Sequence, residues 1–215
     1  MKTLRYSIIL AVLALTLTSC REKESILPDT LPGYLDFYFL QMSFKDADGN
    51  DLVMPLAEEY YISDKTSVIY RGEVNPEHYS LDLITFSGGL DEKPVFFASK
   101  YDAQHKLLKT GQDGKYIGEG TWYLGSTLVC GSAVTRQPLQ ETIKYKFKCP
   151  MVFGDDYFHE IITWWEEDIQ QGEYTRYPKC FKATIDGKEV APVKGLIYFK
   201  QADSPFNAYF LDIVL

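Results

Sequence analysis

ETIKYKFKC, residues 141–149, decides the fold class. Ile143, Tyr145, Phe147 and Cys149 fall at every second position, and Lys144, Lys146 and Lys148 fill the gaps. A period of two is the mark of a strand with one buried face and one wet face. Three lysines on the wet face also discourage pairing with a stray chain. A Phe153-Gly154-Asp155-Asp156 turn follows, and then YFHEIITWW, residues 157–165, repeats the strand signal.

Working outward, the same alternation of short apolar runs and turns continues. Cys180–Ile185, Asp186-Gly187 and Lys188–Val193 read as an Asp-Gly hairpin. Leu196–Lys200 and Asn207–Leu215 are the last strand signals, and so apolar a terminus predicts a strand inside a sheet. Toward the N-terminus, Asp113-Gly114 is a hairpin turn leading into Tyr116–Leu124, followed by a short apolar piece, Thr127–Cys130. Tyr79–Phe86 and Val95–Tyr101 are strands, and Glu58–Tyr70 is two short strands or one broken one. YLDFYFLQMSF, residues 34–44, is apolar at nearly every position, which suits a strand buried on both faces or an N-terminal strand packed in a sandwich. KDADGND (45–51) then turns the chain toward Leu52-Val53-Met54. Its clustered oxygen side chains also suit calcium, but the EF-hand spacing is absent and a hairpin turn is the favoured reading. No helical period is sustained over ten residues. The prediction is an all-β, mainly antiparallel fold with little helix, a sandwich or barrel.

The first twenty residues have a different logic. Lys2 and Arg5 precede an uncharged apolar run, Ile8–Leu17, which is too short to span a bilayer as a helix. Leu17-Thr18-Ser19-Cys20 closes the run and resembles the lipobox of bacterial lipoproteins. That resemblance implies cleavage before Cys20 and acylation of its thiol and amino group, which is ample for stable anchoring. Arg21 in place of Asp points to the outer membrane, on its periplasmic or cell-surface face. Glu22 and Glu24 are similar to the acidic tether that sends Bacteroidota lipoproteins to the surface. The division is therefore a signal peptide (1–19), a lipidated cysteine with a flexible tether (20–33), and a β-sandwich domain or two small subdomains (34–215).

Charge narrows the partners. The leader carries two of the 22 basic residues and none of the 30 acidic ones, so the net charge of −8 becomes −10 without it. That excludes the basic footprint of a nucleic-acid binder. Beyond Cys20 the cysteines are Cys130, Cys149 and Cys180, an odd number in a compartment that permits disulfides. Cys149 and Cys180 flank the Trp-rich strand and are the favoured pair, with Cys130–Cys149 the competitor.

Catalytic motifs are missing. His159-Glu160 opens like H-E-x-x-H, but Thr163 stands where the second histidine belongs. KTGQDGKYIGEG (109–120) lacks the spacing of a phosphate loop, and no serine or cysteine sits in a nucleophile motif. No cofactor motif occurs. The 16 Tyr, 13 Phe and 3 Trp turn attention to binding instead, because aromatic rings are rigid contact surfaces. Trp164 and Trp165 are adjacent, so in a strand one faces the core and one faces out. The outward ring, beside Glu166 and Tyr174, is the candidate platform for a sugar.

FKDADGNDL, KCPMVFGDDYFHEIITWW and CFKATIDGKEV resemble segments of a group of lipoproteins from gut Bacteroidota. The resemblance implies an immunoglobulin-like or transthyretin-like sandwich and transfers no catalytic residue. The expectation is a non-enzymatic envelope module, joined to the membrane at Cys20 and binding a glycan or a partner protein. A structural role in a surface assembly stands second, and a hydrolase third.

Overall fold

Alternation of side chains along β1 (Tyr34–Lys45) builds the molecule. Tyr38, Leu40, Met42 and Phe44 point one way, into the main core between two sheets. Phe37 and Phe39 point the other way, into a second aromatic cluster with Tyr101, Tyr123, Tyr177, Phe206 and Phe210. The strand is thus apolar on both faces because both are covered, as its composition predicts. The structure, a computed structural model, describes residues 34–58, 72–85, 96–111, 115–132, 139–168, 175–197 and 206–215. The leader, Cys20 and the tether lie outside these, as do Tyr174, the Asp113-Gly114 turn and most of the 58–70 strand signal.

The larger sheet contains β2 (Gly72–Glu73), β4 (Phe97–Tyr101), β5 (Thr121–Ser132), β8 (Thr175–Arg176), β11 (Val193–Ile197) and β12 (Phe206–Val214) around β1. Its order is β11-β12-β1-β5-β4-β2. β1 runs antiparallel to β5 and parallel to β12, with Leu40 facing Tyr209 and Ser126. β8 adds a short parallel pairing at the start of β1, opposite Leu35 and Asp36. The smaller sheet contains β3 (Ser80–Thr85), β6 (Gln140–Lys148), β7 (His159–Glu166), β9 (Lys179–Ile185) and β10 (Lys188–Val190). It is entirely antiparallel and has the order β10-β9-β7-β6-β3. The sheets meet through Tyr38 on Trp165 at one end and Phe44 on Phe147 at the other. The fold is an all-β, mainly antiparallel sandwich. Among the described residues the α-helices are two short ones, α1 (Met54–Glu58) and α2 (Pro150–Phe153), and neither is long enough to cross a membrane.

β6 occupies the predicted stretch, with Ile143, Tyr145 and Phe147 buried. β12 lies inside its sheet, between β1 and β11. The Asp186-Gly187 hairpin forms, both residues having positive φ. Several details differ from the sequence reading. Tyr116–Leu124 and Thr127–Cys130 are not a strand and a separate piece, because β5 runs unbroken from Thr121 to Ser132. Leu52–Met54 is no second hairpin strand. Asp51 bridges to Lys45, and its carboxylate then accepts the amides of Val53 and Met54, which starts α1. Asp46 accepts the amides of Asp48 and Asn50 and the Asn50 side chain, so its oxygens hold the turn. The return strand of the last hairpin also stops at Val190. Ala191 and Pro192 carry the chain to the other sheet as β11, and Pro192 has no N–H for a ladder.

The Cys149–Cys180 disulfide is not present: both are free and buried thiols. Register explains it. Cys180 is level with Trp165 and, through it, with Glu141. Cys149 lies beyond the opposite end of β6, about 26 Å away along the strand direction at roughly 3.3 Å per residue. A disulfide needs Cα atoms within about 7 Å. Cys130 pairs through its backbone with Asp36 on the larger sheet, and its side chain lies outside the description.

Candidate functional site

β7 is the central strand of the smaller sheet, flanked by β6 and β9 along its length. Its inward positions are Ile161, Thr163 and Trp165, and its outward ones are Ile162, Trp164 and Glu166. The two tryptophans separate as adjacent strand positions must. Trp165 is 1 % exposed, meets Tyr38 and Tyr209 edge-on at 5.3 and 5.7 Å, and donates from Nε1 to Thr163 Oγ1 at 2.8 Å. It belongs to the core and leaves the set of ligand-facing residues. Trp164 stays half-buried on the outer face.

What surrounds Trp164 comes from a β-bulge. Trp165 pairs with Cys180 but Trp164 pairs with Lys182, which leaves Phe181 as an extra residue in β9. A bulge turns two consecutive side chains to one side. Phe181 and Lys182 are accordingly both exposed, on the face that carries Trp164. The Lys182 ammonium lies 4.9 Å from the centre of the Trp164 ring, within cation–π range. Thr142 stands across from Trp164 on β6, and Lys144 and Thr184 flank Ile162. Glu160 is paired with Lys144, and Glu166 with Lys179 at 2.8 Å. The result is a flat apolar strip, Ile162, Trp164 and Phe181, edged by threonines and charged side chains. Glu166 belongs to its edge. Lys182 escapes sequence reasoning because plain alternation from Cys180 would send it inward. The apolar spacing Cys180, Ala183, Ile185, three and then two, is the signal that reveals the bulge.

The opposite end of the same sheet holds His159. Its Nδ1 is 2.6 Å from Asp186 Oδ2 and its Nε2 is 3.1 Å from Asp155 Oδ1. The Phe153 ring stacks on the imidazole at 3.7 Å. Asp186 also accepts the Glu160 amide, which ties the β9–β10 hairpin to β7. Burial alone would lower the His159 pKa, but the two carboxylates outweigh it and raise it. Both ring nitrogens are engaged, so His159 is a clasp between the α2–β7 turn and the hairpin. That turn exposes Tyr157 and Phe158, and α2 before it exposes Met151.

A third polar group lies on the outer face of the larger sheet. Asp212 accepts from Tyr123 OH at 2.5 Å and Ser43 Oγ at 2.8 Å, with His105 Nε2 at 3.4 Å. Burial pushes the Asp212 pKa up, and these donors more than reverse it. His105 has left-handed backbone (φ 57°), and its ring lies 4.4 Å from that of Phe210, which pins the Asp102–Lys106 turn to the sheet. Among the described residues, no three metal-ligating side chains gather at one point.

The fold and this face describe an all-β sandwich with an outward aromatic strip on its smaller sheet. No family model matches the chain, and no curated protein or solved structure matches it.

Proposed function

We propose that this protein is a non-enzymatic binding module of the bacterial cell envelope, anchored by lipid at Cys20 in the outer membrane, and that its smaller sheet receives a glycan. The observation that carries the reading is Trp164, held outward on the central strand beside the exposed Phe181. Sugar rings present flat apolar faces, and an aromatic ring on a rigid strand meets them with little loss of conformational freedom. The commitment of both His159 nitrogens to carboxylates supports a binding role over hydrolysis. The likeness to Bacteroidota lipoproteins, with an immunoglobulin-like or transthyretin-like topology, belongs to the same reading.

The test is tryptophan fluorescence of the full chain in detergent, titrated with a panel of neutral and acidic polysaccharides. A saturable shift that disappears in Trp164→Ala, with unchanged thermal unfolding, supports the proposal. Absence of any shift across the panel overturns it. A second reading, assembly through an edge strand, has its own observation: β11 is an edge of the larger sheet and exposes Val193 and Leu196. Sedimentation of the protein across a concentration series separates the two, since only the second predicts self-association.

A further inference from the structure

Resting on the glycan reading, we infer that the ligand of the Trp164 strip is an acidic polysaccharide, one whose sugar rings carry carboxylates, and that Lys182 selects it. The two carboxylates that share the outer row of β7 with Trp164 are already neutralised. Glu160 is held by Lys144, and Glu166 by Lys179 at 2.8 Å. Among the described residues Lys182 has no carboxylate partner. Its ammonium is held over the indole at 4.9 Å instead. This is the one place on the strip where an aromatic face and an uncompensated cation coincide.

The coincidence is built by the bulge. Without the extra residue, β9 would alternate and Lys182 would share the inward side with Cys180. The bulge leaves Phe181 outward and turns Lys182 outward with it, which brings a cation to the face that carries the two rings. A neutral sugar stacking on Trp164 must displace the ammonium from the ring and gains nothing in return for that lost contact. A uronate ring stacks on the indole while its carboxylate draws the displaced ammonium to its own edge, so the cation exchanges one partner for a stronger one. Thr142 and Thr184, on the flanking strands, supply hydroxyls for the remaining ring oxygens. The chain as a whole is acidic, at −8. Long-range attraction therefore does not favour a polyanion, and the selection must come from this local pairing.

The experiment compares polygalacturonate, alginate and hyaluronan with the carboxyl-reduced form of each. Binding to the full chain in detergent is followed by calorimetry and by retardation in affinity gels. The expected result is saturable binding of at least one acidic polymer, with its reduced form at least tenfold weaker. In Lys182→Met, which keeps an unbranched side chain over the ring, that preference should shrink to less than threefold. Trp164→Ala should abolish binding of both forms, with thermal unfolding confirming that each variant is folded. Equal binding of acidic and reduced forms, or a preference that persists in Lys182→Met, overturns this inference and leaves the glycan reading standing. Binding of neither form overturns both.

Discussion

At the scale of single residues, the charged groups that look most like chemistry hold the fold together. Asp36 interrupts an aromatic strand and is fully buried, against Arg176 at 4 % exposure. The two form a bidentate pair, with Arg176 Nε and a terminal nitrogen donating to the two carboxylate oxygens at 2.5 and 2.8 Å. Arg176→Met should lower stability by about 3–5 kcal/mol in urea denaturation, because it strands a buried carboxylate; Asp36→Leu/Arg176→Met should recover most of that loss. His159 gives a pH signature. Its folded pKa is raised, so the clasp contributes fully below the unfolded value near 6.5 and fades as pH rises through the folded one. Asp155 is shifted down, by the Tyr157 amide first and then by His159, so its share fades only in acid. Thermal melts of His159→Gln against the native chain should differ by roughly 2–4 °C near pH 6, and the gap should close toward alkaline pH. Burial pushes the Cys180 thiol up to about 12 and raises that of Cys149 as well. Neither should react with iodoacetamide in the native protein, and both should alkylate after unfolding without any reductant.

At the scale of elements, close approaches decide which residues the strands accept. Gly125 sits on β5 opposite Phe97 on one side and Gln41 on the other. A Cβ there would lie 2.6 Å from the side-chain amide of Gln41, itself 2 % exposed. Gly125→Ala should therefore cost about 1–3 kcal/mol, the range for overpacking a filled site. Adding Gln41→Ala should relieve the clash, and a double-mutant cycle in denaturant will show that coupling or its absence. The bulge in β9 belongs to this scale too. Period two was legible in β6, where every second side chain is apolar. It fails in CFKATI, where one extra residue shifts the inward set from Lys182 to Ala183 and with it the face that Phe181 and Lys182 share.

At the scale of the whole molecule, the platform and the proposed anchor make a joint prediction. Among the described residues β1 begins at Tyr34, and Trp165 packs on Tyr38 within it. Cys20→Ser should release the protein from the membrane fraction into the soluble one, and mass spectrometry of the wild-type N-terminus should show an acylated Cys20. An unmodified Cys20 in a mature chain would remove the anchor from the proposal and leave the platform untouched.

The local chemistry of the chain determined its strands, because period two in ETIKYKFKC and turn residues such as Asp186-Gly187 act within a few positions of one another. It also settled that Trp164 and Trp165 face opposite ways. Which of them faces the core was decided only when the second sheet closed over Trp165 with Tyr38 and Tyr209. The separation of Cys149 from Cys180 likewise depends on the register of three strands, and the sequence carries no local signal for register between residues so far apart along the chain. The meeting of Lys182 with Trp164, the Asp36–Arg176 pair and the His159 clasp have the same origin. Each joins residues whose encounter depends on how distant strands align, and that alignment is set by burying the aromatic faces of both sheets at once.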